Sequence, residues 1–348
     1  MYRYRIFAAL MAAMLASSPA AGQLAGLATA TPAAEEQVLD VRIPSAPGVI
    51  LAATLRLPKR SGRYPAVILQ TGSGPNTRGA YLTLQRRLIA AGIATLDFEK
   101  RGVGQSTGTF TDSMGDMETD LAAAIAWLRT RADIDGARIA LLGHSQGAAA
   151  APIVADRDGS LAAIVFLAGP VGDRGTMFLD GMRAQLIEGG RSPDAAESVV
   201  GAARIWMEAR SRKAPGGEIV RARADLVAAF TRAGFPPQAA EGATKVLDTP
   251  QLLSFYEAAP GPALRRLRIP VLVVLAGRDE IVDPPGAAAA LGENPNALVL
   301  TVPGAGHNFA YRPADAPPRT NPPGGRWLFP EPLIARWLTD WLVHGGMN

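Results

Sequence analysis

The sequence predicts an α/β fold, a mostly parallel sheet of eight strands flanked by helices. Short apolar runs recur along the chain and alternate with helical patterns. Most of these runs are continuously apolar rather than alternating, as in strands covered on both faces. Residues 170–269 carry helical patterns but no strand. Alternating strands and helices call for right-handed crossovers and a parallel sheet.

The elements follow in order. Arg3 and Arg5 precede the apolar run Ile6–Ala16, and small residues follow from Ser17 to Gly22. That is the plan of a secretory signal peptide, and the run is shorter than the roughly 20 residues of a bilayer span. Cleavage is expected near Ala20 to Gly22, with Ala28-Thr29-Ala30 as a second site and an uncleaved anchor as the competing reading. Residues 1–22 are thus expected to be a signal peptide and 23–35 a linker. Residues 36–169 and 270–348 are expected to form the core, with 170–269 a helical insertion after the sixth strand. The mature chain would be exported, periplasmic or secreted, with no stable membrane span.

Strands are expected at Val38–Ile43, Val49–Leu57, Ala66–Gln70, Ile93–Phe98, Arg138–Leu142, Ala162–Ala168, Val271–Ala276 and Ala297–Val302. Pro44, Ser45, Pro47 and Gly48 supply the turn between the first two. Helices are expected at Gly79–Ala91, Met117–Thr130, Gly147–Ala155, Pro285–Leu291 and Pro330–Val343. The insertion reads as four more: Met177–Glu188, Pro193–Arg212, Glu218–Ala233 and Pro237–Leu247. Arg312–Gly325 reads as a Pro/Gly-rich loop.

Composition excludes several functions. With 348 residues, 48% of them hydrophobic, the chain can bury a large core without staples. It has no Cys, so disulfides, zinc–thiolate sites, iron–sulfur clusters and a thiol nucleophile are out. A three-His metal site would consume His144, His307 and His344, all the histidines present, so that reading starts weak. The formal charge is +4, with basic residues scattered among acids, so nothing points to nucleic acid. The oligomeric state is not encoded legibly.

The sharpest motif is Gly143-His144-Ser145-Gln146-Gly147, directly after the strand Arg138–Leu142 and opening a helix of small residues. A strand–turn–helix setting is what a nucleophile elbow needs, and its glycines keep bulk away from the hydroxyl. The competing reading is a plain Gly-rich turn. A serine hydroxyl needs a base. His307, in a loop just after the last strand, fits that role. His144 adjoins Ser145 and should point away as a packed or capping residue, and His344 should lie on the surface. A carboxylate must hold the imidazole. Asp279, just past the strand Val271–Ala276, is placed first, with Asp283 and Asp173 as competitors. Strand ends on one edge of a parallel sheet gather together, so the three groups can meet. The oxyanion hole would take the backbone N–H of Gln146 and, from the loop Thr71-Gly72-Ser73-Gly74-Pro75, that of Ser73. The alternative for that loop is a simple tight turn. It lacks the Gly-Lys-Ser/Thr ending of a phosphate-binding loop.

These pieces resemble the α/β-hydrolases, in particular the serine-hydrolase branch with prolyl-aminopeptidase-like and carboxylesterase-like members. The segments that carry the resemblance are QTGSGPNTRG (70–79), DFEKRGVGQSTG (97–108), GHSQGA (143–148), GRDEIV (277–282) and GAGHNF (304–309). One departure is Thr71, where many relatives carry His; the backbone donor does not depend on it. The resemblance implies that 170–269 is a cap over the substrate pocket and that Arg101 and Ser106 are structural. It also implies acyl transfer to water without cofactor.

The leading expectation is therefore an exported hydrolase of carboxylic esters. An aminopeptidase-type enzyme would need cap acids such as Glu188, Asp194, Glu197, Glu208, Glu241 or Glu257 to hold a substrate amine. A thioesterase would use the same chemistry, and a non-catalytic binding module is the reading from another class. The partner expected is a small ester or peptide-like substrate. Met177, Phe178, Met182, Trp206, Met207, Phe255 and Tyr256 are candidates for an acyl pocket, or for the insertion's own core. Arg183, Arg191 and Arg204 could attract an acidic substrate, or simply face solvent.

Overall fold

The computed structural model of the chain describes residues 35–282, 287–288, 294–315 and 327–346. The expected signal peptide, most of the helix Pro285–Leu291 and much of the loop Arg312–Gly325 lie outside the described residues; residues 287–288 are helical. The strands are β1 (Glu36–Ala46), β2 (Val49–Pro58), β3 (Tyr64–Gln70), β4 (Ala94–Phe98), β5 (Ile134–His144), β6 (Ala163–Leu167), β7 (Val271–Ala276) and β8 (Ala297–Val302). They form one sheet in the order β1-β2-β4-β3-β5-β6-β7-β8. β2 runs antiparallel to both of its neighbours, and every other pairing is parallel. All residues of β3, β4, β6 and β7 are buried, whereas β8, at the edge, is partly exposed.

Four helices of the sheet unit are α1 (Leu82–Ala90), α2 (Met114–Arg129), α3 (Gln146–Asp158) and, near the C-terminus, α10 (Glu331–Leu342). Strand side chains alternate between faces. Val67, Leu69, Ala140, Leu142, Val165 and Leu167 point to one face, where Leu84 and Leu88 of α1 and Ile334 and Leu338 of α10 cover them. Each such buried aliphatic side chain contributes about 1.5–3 kcal/mol relative to exposure. Because β3, β5, β6, β7 and β8 are parallel, the segments after β3, β5, β7 and β8 leave the sheet at the same end.

Between β6 and β7 come α4 (Thr176–Glu188), α5 (Pro193–Ser211), α6 (Gly216–Arg232), α7 (Pro237–Leu247), α8 (Pro250–Glu257) and α9 (Pro260–Arg266). Residues 172–259 form a second compact unit, together with 111–114. Three of its helices, α5, α7 and α8, carry proline in the first turn, and Ser192 and Thr249 cap α5 and α8. The short segment 111–114 joins this unit because Asp112 accepts from Gln251 at 2.7 Å and the Met114 N–H donates to Ser254 at 2.9 Å.

The expected insertion, 170–269, thus runs ten residues beyond the helical unit. α9 belongs to the sheet unit, where Arg266 reaches Asp156 of α3 at 2.6 Å. Neither α8 nor α9 is foreseen by the sequence reading. Both are short, and their prolines read as loop although proline suits a first helical turn. Among the described residues no helix is long and apolar enough to cross a membrane.

Candidate active site

β5 ends at His144 and α3 begins at Gln146, so the chain reverses at Ser145 alone. Ser145 has φ +55° and ψ −119°, a conformation costly for a residue with a side chain. Its surroundings hold it there. The Ser145 N–H donates to the Leu167 carbonyl at 2.9 Å, and its carbonyl accepts from Ala149 at 3.1 Å. Only glycine fits on either side. A Cβ on Gly143 would sit 2.3 Å from the Gly147 oxygen, and one on Gly147 would sit 2.7 Å from the carbonyls of Gln70 and Thr71. The second contact brings the segment after β3 against the start of α3.

His307 stands in the segment after β8, between Gly306 and Asn308. Its Nε2 lies 2.8 Å from Ser145 Oγ, and its Nδ1 lies 3.0 Å from both carboxylate oxygens of Asp279. Asp279 is fixed in turn, since its Oδ1 accepts from the N–H groups of Ile281 and Val282 at 2.8 and 2.9 Å. A carboxylate on Nδ1 selects the tautomer whose Nε2 is free to accept the serine proton. The side chains of His307 and Asp279 are 5% and 2% exposed, so water screens their interaction little.

Two further groups fix the His307 backbone. The His307 N–H donates to Glu280 Oε2 at 2.9 Å, and its carbonyl accepts from His144 Nε2 at 3.0 Å. The two histidine rings lie 5.1 Å apart. Enclosure, followed by the neighbouring His307, pushes the His144 pKa down to about 4, so that ring stays neutral. His307 shifts the other way. Burial alone would depress it, but the charge and hydrogen bond of Asp279, with Glu280 behind, hold its pKa above the ordinary value.

The segment after β3 carries Gly72, whose added Cβ would lie 2.8 Å from Ser145 Cβ. Ser73 follows directly, and among the described residues its N–H has no hydrogen-bond partner. The Gln146 N–H stands at the first position of α3, where backbone donors and the helix dipole favour negative charge. The Gln146 side chain accepts from the buried Lys100 Nζ at 3.3 Å. Ser145, Asp279, His307, Ser73 and Gln146 are therefore all brought to one place.

Other candidates lie elsewhere. Asp283 is outside the described residues, Asp173 belongs to the helical unit, and His344 is exposed. Arg101 is bound to Asp116 and Asp120, and Ser106 bridges the Ala52 N–H and the Glu99 carbonyl. Of the pocket candidates, Phe178, Met182, Trp206, Met207 and Tyr256 sit in the helical unit's own core, and Phe255 is half-buried. The Met177 side chain is outside the described residues. Glu197 and Glu241 pair with Arg183 and Arg223, Glu208 with Arg174, and the Arg191 guanidinium lies 4.3 Å over the Phe235 ring. Among the described residues no group of three or more His, Asp or Glu could hold a metal. Sequence reasoning missed Glu280, Lys100 and the His144 contact, for which no local signal exists.

A hydroxyl, an imidazole and a carboxylate joined by hydrogen bonds at the strand ends of a mostly parallel sheet define a hydrolase of the α/β class. The chain belongs to the alpha/beta hydrolase family, whose sequence model matches residues 67–317. It is 26% identical over 248 residues to esterase EstD of Thermotoga maritima, across 69% of this chain and 51% of that protein. It is 32% identical over 113 residues to thiohydrolase apmlB of Arthrinium phaeospermum, across 32% of this chain and 36% of that protein. The chain thus spans about half or less of the length of these relatives. Among solved structures it shares the fold of ferulic-acid-bound Est1E from Butyrivibrio proteoclasticus. There the TM-score is 0.51 and the identity 16%, covering 87% of this chain and 98% of that one.

Proposed function

We propose that this chain is an exported serine hydrolase that cleaves carboxylic esters through an acyl-enzyme. The observation that carries the reading is the continuous link from Ser145 Oγ through His307 to Asp279, at 2.8 and 3.0 Å. In the reaction, His307 Nε2 takes the Ser145 proton as Oγ attacks the ester carbon. Asp279 stabilises the imidazolium that forms. The Ser73 and Gln146 N–H groups receive the oxyanion. His307 then passes its proton to the departing alcohol oxygen. Water, deprotonated by the same nitrogen, releases the acid and restores the serine. The charge of Asp279 makes His307 more basic, which favours its taking the serine proton. Family membership and the esterase name of a relative support the substrate class. The partial match to a thiohydrolase favours thioesters as the second reading. Export rests on the N-terminal pattern of Arg3, Arg5 and Ile6–Ala16.

The test is turnover of p-nitrophenyl esters from acetate to long chains, with Ser145→Ala alongside. Activity that vanishes in the variant is the expected result. Full activity in Ser145→Ala would refute the mechanism, and turnover of acyl thioesters but no oxygen ester would move the assignment to the second reading.

A further inference from the structure

The segment after β3 is held by one side chain in an unusual way. Asn76 Nδ2 lies 2.9 Å from the Gly72 carbonyl oxygen, 2.9 Å from that of Ser73 and 3.2 Å from that of Gly74. Only the NH2 end of the amide can face three acceptors, and its two hydrogens are shared among them. Three carbonyls gathered on one side repel one another unless a donor sits between them. Asn76 is that donor, and its own N–H also donates to the Gly74 carbonyl at 2.9 Å.

The consequence follows from peptide geometry. In a trans peptide the C=O of one residue and the N–H of the next point in opposite directions. Drawing the Gly72 oxygen toward Asn76 turns the Ser73 N–H away from Asn76. Gly72 itself lies against Ser145, where an added Cβ would be 2.8 Å from Ser145 Cβ. Pro75 fixes its own φ, and the Gly79 N–H is tied to Asp97 Oδ2 at 2.6 Å, so the segment is anchored beyond Asn76 as well.

We infer that Asn76 is a positioning residue for the oxyanion hole: by gathering three carbonyls it aims the Ser73 N–H at the oxygen that becomes charged on the Ser145 adduct. Asn76 touches no reacting atom in this scheme. The inference rests on the serine-hydrolase reading above, so the experiment separates the two.

Kinetics on the best p-nitrophenyl ester are measured beside the dissociation constant of phenylboronic acid, which forms a charged tetrahedral adduct on a serine hydroxyl. Asn76→Asp keeps the side chain's shape but turns a carboxylate toward the three carbonyls. Its kcat should fall about 100-fold, within the range for loss of one oxyanion donor, with KM changed less than about twofold. Phenylboronic acid should weaken by a similar factor. Asn76→Ala removes the donor without adding repulsion and should lie between this variant and wild type on both measures. If Asn76→Asp does not fold, Asn76→Ala decides. A folded Asn76→Ala with wild-type kcat and boronic acid affinity, or with its whole loss in KM, overturns the proposal. So does an Asn76→Ala chain that does not fold, because the residue would then serve the fold at large. Turnover that survives Ser145→Ala brings down the serine-hydrolase reading and this proposal with it. Turnover lost in Ser145→Ala but untouched by either Asn76 variant brings down this proposal alone.

Discussion

Gly72→Ala tests how tightly the site is built. Gly72 is not among the residues with positive φ, so alanine meets no backbone penalty there, and only space is at issue. The new methyl would stand 2.8 Å from Ser145 Cβ, where ordinary contact begins near 3.4 Å. Something must move, and restoring ordinary contact takes about 0.6 Å. If Ser145 moves, its 2.8 Å hydrogen bond to His307 stretches beyond useful length. If the segment after β3 retreats, the Ser73 N–H leaves the position of the developing charge. Displacements approaching 1 Å at a reacting centre cost about 100-fold in rate, so kcat/KM should fall by roughly 10- to 100-fold, about 1.4–2.7 kcal/mol of transition-state stabilisation. Overpacking of this kind costs folding about 1–3 kcal/mol. The assays are ester kinetics, the rate of labelling by a fluorophosphonate and the thermal midpoint. Gly72→Ala with kcat/KM within twofold of wild type and an unchanged midpoint would show that the segment is loose, and the reasoning from contact distance would be wrong.

Two histidines in contact respond to pH with opposite sign. The His144 pKa is lowered from 6.5 to about 4 in the fold, so the unfolded chain binds more protons in that window and stability falls as pH drops through it. The loss is on the order of 3 kcal/mol. His307, with its pKa raised, contributes stability that is present below the unfolded value and lost as pH rises through the folded one. His144→Phe should flatten the loss between pH 6.5 and pH 4 in denaturant titrations; an unchanged slope would contradict the assignment. For the reaction, the acid limb of kcat/KM should lie higher than an unshifted histidine would place it. Asp279→Asn removes the charge that raises His307 and frees its tautomer. Its kcat should drop about 10³- to 10⁴-fold, with the acid limb moving to lower pH. A limb that stays in place would remove Asp279 from this role.

The sequence alone determined the strands, because runs such as Val271–Ala276 can be satisfied only by burial on both faces. It also determined the elbow, since Gly143 and Gly147 meet backbone on both sides of Ser145 and no other residue fits there. The chain order of Ser145, Asp279 and His307 could be read because a parallel sheet delivers strand ends to one edge. Tertiary structure decided the rest. Nothing in the sequence relates His144 to the His307 carbonyl, a contact across 163 positions. The end of the helical unit at residue 259 and the docking of Arg266 on Asp156 depend on partners distant along the chain. Phe178, Trp206 and Tyr256 have the same apolar character in a pocket wall as in a core, and only packing showed them inside the core of the helical unit. Periodicity and local sterics act between near neighbours and leave a mark in sequence. Outside the motif-borne links of Ser145, His307 and Asp279, hydrogen bonds and ion pairs between distant segments leave none, because any residue able to donate or accept could fill either place.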